Sequence, residues 1–189
     1  VDMHREEIIG LWRELVMQES FFENKAGVDC VAAILQQHFE QLGGKVKYHE
    51  YESVGNMLVG IWGDADKAAP IALLGHMDTA MPTGATQTNP FRITDGKAYG
   101  PGVLDMKGGI VIALFAMKAL QAAGYNGRAI KWILAGDEES THQNSDQPDK
   151  FVQEAQGACA AFNFETGFIN DGIVIGRKGI QRFILEVKG

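Results

Sequence analysis

Two side chains capable of metal-binding or acid–base chemistry follow an apolar run at residues 71–74. His76 and Asp78 lie within residues 75–79, whose sequence is GHMDT. Side chains two positions apart on an extended chain point the same way, so His76 and Asp78 are expected to project together from a strand end. A lone histidine at a strand end is an ordinary polar residue, but a neighbouring carboxylate fixes the tautomer of a metal-binding imidazole. The pairing makes His76 a candidate metal ligand.

Asp105 lies in the glycine-rich segment 99–109, whose sequence is YGPGVLDMKGG. Glycine-rich loops also bind nucleotides, so nucleotide binding is an alternative for this segment. A dinucleotide fingerprint requires its third glycine where Asp105 stands, and a P-loop requires Ser or Thr where Gly108 follows Lys107. Nucleotide binding is therefore disfavoured. Asp105 is either a cap of the following helix or an acidic residue held at a site.

Carboxylates also follow two later apolar runs. The sequence DEE at 137–139 follows the run 130–134, and Glu165 follows the run 158–164. Three successive carboxylates in a solvated turn would be unremarkable. At the end of a buried strand, however, like charges raise one another's pKa unless a cation neutralises them. A divalent metal is the simplest such cation.

Hydrophobic periodicity predicts the elements that must position these side chains. Helical spacing indicates amphipathic helices within residues 8–16 and 28–42, a nearly all-apolar helix over 108–123 that is expected to pack against a sheet, and a shorter helix over 148–156. Strands are predicted at 46–48, 57–62, 71–74, 129–135, 158–164, 173–175 and 180–187. The dipeptide Asp95-Gly96 predicts a tight hairpin between 91–93 and 98–99.

The order of these helices and strands predicts an α/β fold. The runs 71–74 and 130–134 are continuously apolar, which is typical of strands buried on both faces, so we place them at the centre of a sheet covered by helices. Functional residues in such folds cluster where the strands end. His76, the carboxylates at 137–139 and Glu165 all follow strand ends, which favours one shared site.

Composition and charge exclude several classes of protein. The 189 residues are 46% apolar and 22% charged, as in a globular protein, and the net charge of −7 disfavours nucleic acid as a partner. No run reaches the roughly 18 apolar residues of a membrane-spanning helix, since Lys118 interrupts the longest candidate. Cys30 and Cys159 stand far apart, which argues against a disulfide framework or a thiolate zinc site. Residues 1–7 lack the order of a signal peptide, so a cytoplasmic location is expected.

In order and content, these segments resemble the dinuclear zinc exopeptidases and deacylases, which include glutamate carboxypeptidase, acetylornithine deacetylase, succinyl-diaminopimelate desuccinylase and aminoacylase. The resemblance rests on GHMDT at 75–79, GPGVLDMKGG at 100–109 and DEES at 137–140, while PFRITDG at 90–96 is most similar to the bacterial glutamate carboxypeptidase branch. It implies a three-layer α/β/α catalytic domain with a mixed central sheet, truncated here. Residues 1–178 would form its amino-terminal part, and 179–189 would begin the lid domain through which a homodimer is expected.

The same resemblance implies a metal centre with two zinc ions, for which cobalt or manganese could substitute. His76 and Glu165 would bind one ion and Glu139 the other. Asp105 would bridge both ions.

The remaining roles implied by the resemblance concern catalysis and local geometry. Asp78 would orient His76, and Glu138 would be the general base. The peptide bond between Asp105 and Met106 is expected to be cis. The family's last histidine ligand has no matching motif in this chain, and His142, which lies in a polar loop, is disfavoured as a substitute.

The activity implied is hydrolysis of an amide bond in a short peptide or an N-acyl amino acid, with water activated by metal. Because one ligand of the second ion is unmatched, an alternative is an inactive, truncated fragment of this fold that binds a partner through an exposed sheet edge. Glu138, standing beside the ligands, favours the enzyme. No membrane or nucleic-acid partner is expected.

Overall fold

The computed structural model describes residues 4–167, 172–176 and 185–188. In chain order the elements are α1 (Arg5–Met17), α2 (Lys25–Gln41), β1 (Lys45–His49), β2 (Met57–Trp62), β3 (Ile71–His76), α3 (Ala85–Thr88), β4 (Arg92–Thr94), β5 (Lys97–Tyr99), α4 (Gly109–Ala122), β6 (Ile130–Ala135), α5 (Gln147–Ala155) and β7 (Ala160–Asn163). The four predicted helices and the predicted strands up to residue 135 are confirmed.

Five of these strands form a mixed sheet with the order β1-β2-β6-β3-β7. β1 and β6 each pair antiparallel with β2, whereas β6, β3 and β7 run parallel to one another. β6 and β3 lie inside the sheet, as their continuous apolar sequences predict. The register pairs His76 with Ala135 and Leu74 with Asn163, so the carboxyl ends of the three parallel strands share one edge.

Helices α1, α2 and α4 cover one face of the sheet and form the larger core. Leu15 and Leu114 are fully buried there, together with Phe39 and Trp132, whose ring centroids lie 5.5 Å apart. Gly60 in β2 permits this close packing, because a Cβ at that position would overlap the ring of Phe39. Burying each aliphatic or phenyl side chain of this size contributes about 1.5–3 kcal/mol, and this face buries more of them than the opposite face.

Helix α5 covers the opposite face of the sheet. It packs over a smaller cluster formed by Met57, Val59, Ala72 and Ile133, against which Phe151 lies. The predicted three-layer α/β/α architecture with a mixed central sheet is therefore confirmed.

An ion cluster around Glu154 fixes α5 to the sheet. The Glu154 Oε1 atom lies 2.6 Å from Lys47 Nζ and 2.8 Å from His49 Nε2, and its Oε2 atom lies 2.5 Å from Lys131 Nζ. Burial raises the pKa of Glu154, but hydrogen bonds from Lys131, Lys47 and His49 outweigh that effect and lower it to about 2. A carboxylate whose pKa falls on folding stabilises the folded state once it is ionised.

Replacing Glu154 with Gln is expected to lower the free energy of unfolding by about 2 kcal/mol at pH 7. The folded-state pKa lies below the ordinary value of 4.5, so the stabilisation is present above pH 4.5 and is lost as pH falls toward 2. Urea denaturation should therefore separate the two proteins widely at pH 7 and narrowly at pH 3. Glu52→Gln, at an exposed position, is the matched control; an equal gap at both pH values would contradict this account.

The predicted hairpin is confirmed as β4 paired with β5. Asp95 and Gly96 form its turn with φ angles of 51° and 72°. These left-handed values at both central residues are those of the two-residue hairpin turn that Asp-Gly favours.

The structure differs from the sequence-based expectations near the end of the chain. β7 ends at Asn163 and begins at Ala160, so it is shorter than predicted, and the strand predicted at 173–175 is wrong. Ile173 and Ile175 are 88% and 98% exposed, so no sheet face buries the apolar positions that suggested a strand. Most of the strand predicted at 180–187, and the domain limit at 178/179, fall on residues 177–184, which lie outside the described ranges.

Helix α4 packs against the sheet as predicted, but not on every side. Ile110 and Leu114 are fully buried, whereas Ile112 on its outer side is 63% exposed.

Among the helices described, none combines the length and the apolar character needed to cross a membrane.

Candidate metal centre

His76 is the centre of a group of side chains at the carboxyl edge of the sheet. It is the last residue of β3 and its side chain is only 2% exposed. Its Nε2 atom lies 3.1 Å from Asp105 Oδ1, 3.0 Å from Glu165 Oε1 and 3.8 Å from Glu138 Oε2. Residues from three separate segments thus converge on one imidazole nitrogen.

Three of the four predicted metal ligands offer donor atoms to one point. The candidate ligand atoms of His76, Asp105 and Glu165 all lie within 4.8 Å of one another. One imidazole nitrogen and carboxylate oxygens are a donor set that zinc accepts, and cobalt and manganese accept the same atom types. The residues therefore fit a divalent metal, and their assignment as ligands stays a prediction.

The segment Val103–Gly108, between β5 and α4, brings Asp105 to this point. Its Asp105–Met106 peptide bond is cis, as expected from the resemblance. Met106 is fully buried and its Sδ atom accepts a hydrogen bond from the His76 backbone N–H at 2.9 Å. The residue after Asp105 is therefore packed directly against the strand end that carries His76.

Lys107 anchors the segment Val103–Gly108 to the end of α1. It is 1% exposed, and its Nζ atom donates hydrogen bonds to the carbonyl oxygens of Leu15 at 2.7 Å and Gln18 at 2.8 Å. Burial lowers the pKa of Lys107 to about 7, while the charges of Glu19 and Asp78 act in the opposite direction. The end of α1 and the Asp105 segment are thereby joined through a buried side chain.

The start of α4 brings Glu165 close to Asp105. Gly109 touches the backbone of Phe164, and a Cβ at position 109 would overlap the Phe164 carbonyl oxygen. The Phe164 N–H donates to Leu74 O at 3.1 Å, which continues the pairing of β7 with β3. Only glycine at position 109 permits the approach that places Glu165 beside the metal group.

Asp78 connects His76 to the turn that carries the two glutamates. Its side chain is fully buried, and its Oδ1 atom lies 3.3 Å from His76 Nδ1. The same carboxylate accepts hydrogen bonds from the backbone N–H groups of Glu138 at 3.1 Å and Glu139 at 2.9 Å. Asp78 thus lies beside His76 Nδ1, and its role in orienting that ring stays a prediction. It also holds the Glu138–Ser140 turn, which the sequence did not predict.

Glu138 and Glu139 lie in a 3₁₀ turn directly after β6, and their side chains face different neighbours. Glu138 is the one near His76, whereas Glu139 Oε1 accepts a hydrogen bond from the Ala80 backbone N–H at 3.1 Å. Glu139 is therefore outside the close group of three ligand candidates, although it borders the same site. The chain therefore turns directly after β6, and the two adjacent glutamates face different contacts.

The carboxylates determine the electrostatics of the group. Burial lowers the pKa of His76, but hydrogen bonds to Asp105, Asp78 and Glu165 outweigh it and raise the pKa to about 12. Burial is the main cause that raises the pKa of both Glu138 and Glu139. For Glu139, the negative charge of Asp105 adds to this effect. The site strongly favours positive charge at its centre, as a cation-binding site requires.

His142 does not join the candidate metal group among the described residues. Its Nδ1 atom instead lies 2.6 Å from Oδ1 of Asp137, whose side chain is fully buried. The sequence does not predict this pair, because no local pattern distinguishes Asp137 from Glu138 and Glu139.

Comparison with known proteins places this geometry in context. Residues 72–181, more than half of the chain, match the model of "Peptidase family M20/M25/M40". The chain is 28% identical over 186 residues to carboxypeptidase G2 of Pseudomonas sp., covering 96% of this chain and 44% of that protein. It is 30% identical over 192 residues to succinyl-diaminopimelate desuccinylase of Rickettsia typhi, covering 94% of this chain and 49% of that protein. The chain thus spans about half the length of these relatives.

Solved structures show the same fold. Human carnosine dipeptidase 1 superimposes with a TM-score of 0.70 at 18% identity, covering 86% of this chain and 39% of that chain. An M20 family metallo-carboxypeptidase from Sulfolobus solfataricus superimposes with a TM-score of 0.69 at 18% identity, covering 85% and 38%. At these identities the likeness establishes the architecture, and function has to be argued from the site.

Proposed function

Because the chain belongs to the peptidase family M20/M25/M40, we propose that the protein is a zinc-dependent hydrolase that cleaves an amide bond of a short peptide or an N-acyl amino acid. The observation that carries the proposal is the convergence of His76, Asp105 and Glu165 within 4.8 Å, with Glu138 3.8 Å from His76. Carboxypeptidase and desuccinylase, the activities named for two relatives, both break an amide bond.

The metal would be held by side chains from the ends of several strands. We assign His76 and Glu165 to one zinc ion, Glu139 to a second, and Asp105 to both. When bound, the ions would bring the pKa of water down toward about 7 and polarise the scissile carbonyl. His76 is available for this role because Asp78 lies at its Nδ1 atom and leaves Nε2 facing the carboxylates.

Glu138 has the environment of a general base. Its side chain is 48% exposed, so water and substrate can reach it, while partial burial raises its pKa and makes it a better proton acceptor. In the proposed reaction Glu138 accepts a proton from the water that attacks the carbonyl carbon. It then donates that proton to the amine nitrogen as the carbon–nitrogen bond breaks.

Removal of metal tests the proposal directly. The protein is incubated with N-acetyl and N-succinyl amino acids and with dipeptides, and the release of free amine is measured. A chelator is expected to abolish the release, and added zinc, cobalt or manganese is expected to restore it. Chelator saturated with zinc beforehand is the control. Undiminished hydrolysis after the metal has been removed would contradict zinc dependence, and zinc binding without any hydrolysis would favour a binding module.

A further inference from the structure

A cavity of about 340 Å³ adjoins the candidate metal centre on the side of the sheet that α5 covers. His76, Glu138 and Glu165 line one end, and His142, Pro148 and Phe151 line its wall. A group bound at the metal centre would therefore have space beside it with an apolar surface and a second imidazole. His142 has no role in the mechanism above.

Asp137 holds the imidazole of His142 in place. The Asp137 carboxylate is fully buried and lies 2.6 Å from His142 Nδ1 through Oδ1, while its Oδ2 atom accepts a hydrogen bond from Ser145 Oγ, also at 2.6 Å. Because two groups share this carboxylate, the ring of His142 is fixed relative to β6. A mobile surface histidine would have no such partner.

The backbone at His142 is held as firmly as its ring. Thr141 and His142 have φ angles of 58° and 54°, in the left-handed region that residues other than glycine seldom adopt. Hydrogen bonds from Thr141 N to Glu138 O at 2.8 Å and from His142 N to Asp137 O at 3.3 Å maintain this conformation. The loop thus places the imidazole on the cavity wall.

Nε2 is the atom of His142 that is left for a ligand. Nδ1 faces Asp137, and Nε2 has no hydrogen-bond partner in the part of the chain that the structure describes. The hydrogen bond to Asp137 raises the pKa of His142, although burial acts in the opposite direction. The raised pKa favours the protonated ring, in which both nitrogens are hydrogen-bond donors. Such a donor pairs best with a carboxylate oxygen.

The other described residues of the cavity give it an acidic end, formed by Glu138 and Glu165, and an apolar wall. His76 and His142 are the lining side chains able to carry positive charge, and His76 is already engaged by Asp105 and Glu165. The apolar surfaces of Pro148 and Phe151 suit a short aliphatic chain. Away from the acidic end, the lining thus combines an apolar wall with one imidazole whose Nδ1 atom is paired with Asp137 and whose Nε2 atom has no partner among the described residues.

We propose that His142 is a specificity-determining residue, and that its Nε2 atom binds a carboxylate on the part of the substrate that enters this cavity. The proposal rests on the hydrolase function proposed above. It predicts a preference for substrates that carry a second acidic group over neutral substrates of the same shape.

Matched substrate pairs and two variants test the proposal. N-succinyl-alanine is compared with N-butanoyl-alanine, and N-acetyl-glutamate with N-acetyl-glutamine, so that either side of the scissile bond can supply the carboxylate. His142→Asn keeps a hydrogen-bonding group near Asp137 and removes the Nε2 donor. It is expected to lower kcat/KM for the preferred acidic substrate by about 10-fold to 100-fold, mainly through KM, and to leave its neutral partner within about twofold. His142→Gln, which restores a donor near Nε2, should recover part of the loss.

A binding measurement separates failure of this inference from failure of the proposed function. Calorimetry on the zinc-loaded protein compares succinate with butanoate, which has the same length and one carboxylate fewer. Tighter binding of succinate that disappears in His142→Asn would support the inference even if no amide were hydrolysed. Equal losses for acidic and neutral substrates, or an unchanged preference for succinate in His142→Asn, would overturn the inference while leaving the hydrolase function intact.

Discussion

Glu138→Gln is expected to lower turnover by about 10²-fold to 10⁴-fold while the zinc content stays at the wild-type value. Glutamine keeps the size of the side chain and its hydrogen bonding but has no basic oxygen. Glu138 Oε2 lies 3.8 Å from His76 Nε2, and Glu138 is outside the group of His76, Asp105 and Glu165 whose donor atoms converge. Metal binding should therefore tolerate the change. Steady-state kinetics and elemental analysis of the same preparation measure both quantities.

Glu139→Gln is the matched comparison, because it makes the same chemical change at the adjacent residue. Its expected effect is loss of metal, since Glu139 is assigned to the second zinc ion. If Glu138→Gln lost zinc while Glu139→Gln kept it and failed only in turnover, the two roles would have to be exchanged. Full activity in both variants would rule out the proposed mechanism.

Asp105→Asn is expected to abolish both metal binding and hydrolysis at ordinary zinc concentrations. Asparagine has the same shape but carries no charge, and Asp105 is the carboxylate proposed to contact both ions. Loss of an outer partner of a metal ligand costs about 10-fold to 100-fold in metal affinity, so loss of a bridging ligand should cost more. Competition with a chromophoric chelator measures the zinc affinity of wild type and variant.

Asp95→Asn provides a control for Asp105→Asn. Asp95 lies in the exposed turn between β4 and β5, where its φ of 51° is one that asparagine also tolerates. That variant should bind zinc like the wild-type protein. Wild-type zinc affinity in Asp105→Asn would show that Asp105 is not a ligand.

The sequence predicts the parts of the fold that depend on local patterns. The continuous apolar runs of β3 and β6 predict two interior strands, and the carboxyl ends of the parallel strands, including the outer strand β7, meet at one edge of the sheet. His76 and Glu165 are brought together in this way. The same reasoning fails at 173–175, where three residues are too few to show whether a sheet face exists to bury them.

Contacts between distant parts of the chain could not be predicted in this way. Asp78 accepts hydrogen bonds from the backbone N–H groups of Glu138 and Glu139, about 60 residues later. Almost every residue has such a donor, so the residue types do not indicate which N–H groups Asp78 contacts. The direction of Glu139 toward Ala80 likewise depends on the path of the loop after β3. The family resemblance supplied residue roles, whereas the hydrogen bonds that hold those residues required the structure.

The hydrogen bonds of Lys107 determine where the protein can be shortened at its amino-terminal end without disturbing the Asp105 segment. Its acceptors are the carbonyl oxygens of Leu15 and Gln18, at the end of the first helix and just beyond it. Truncating the protein to begin after residue 18 would remove both acceptors and leave a buried amine without partners two positions from Asp105, which is a costly arrangement. The amino-terminal helix, although it contributes no residue to the candidate metal centre, is therefore part of the smallest fragment in which that group of residues can keep its arrangement.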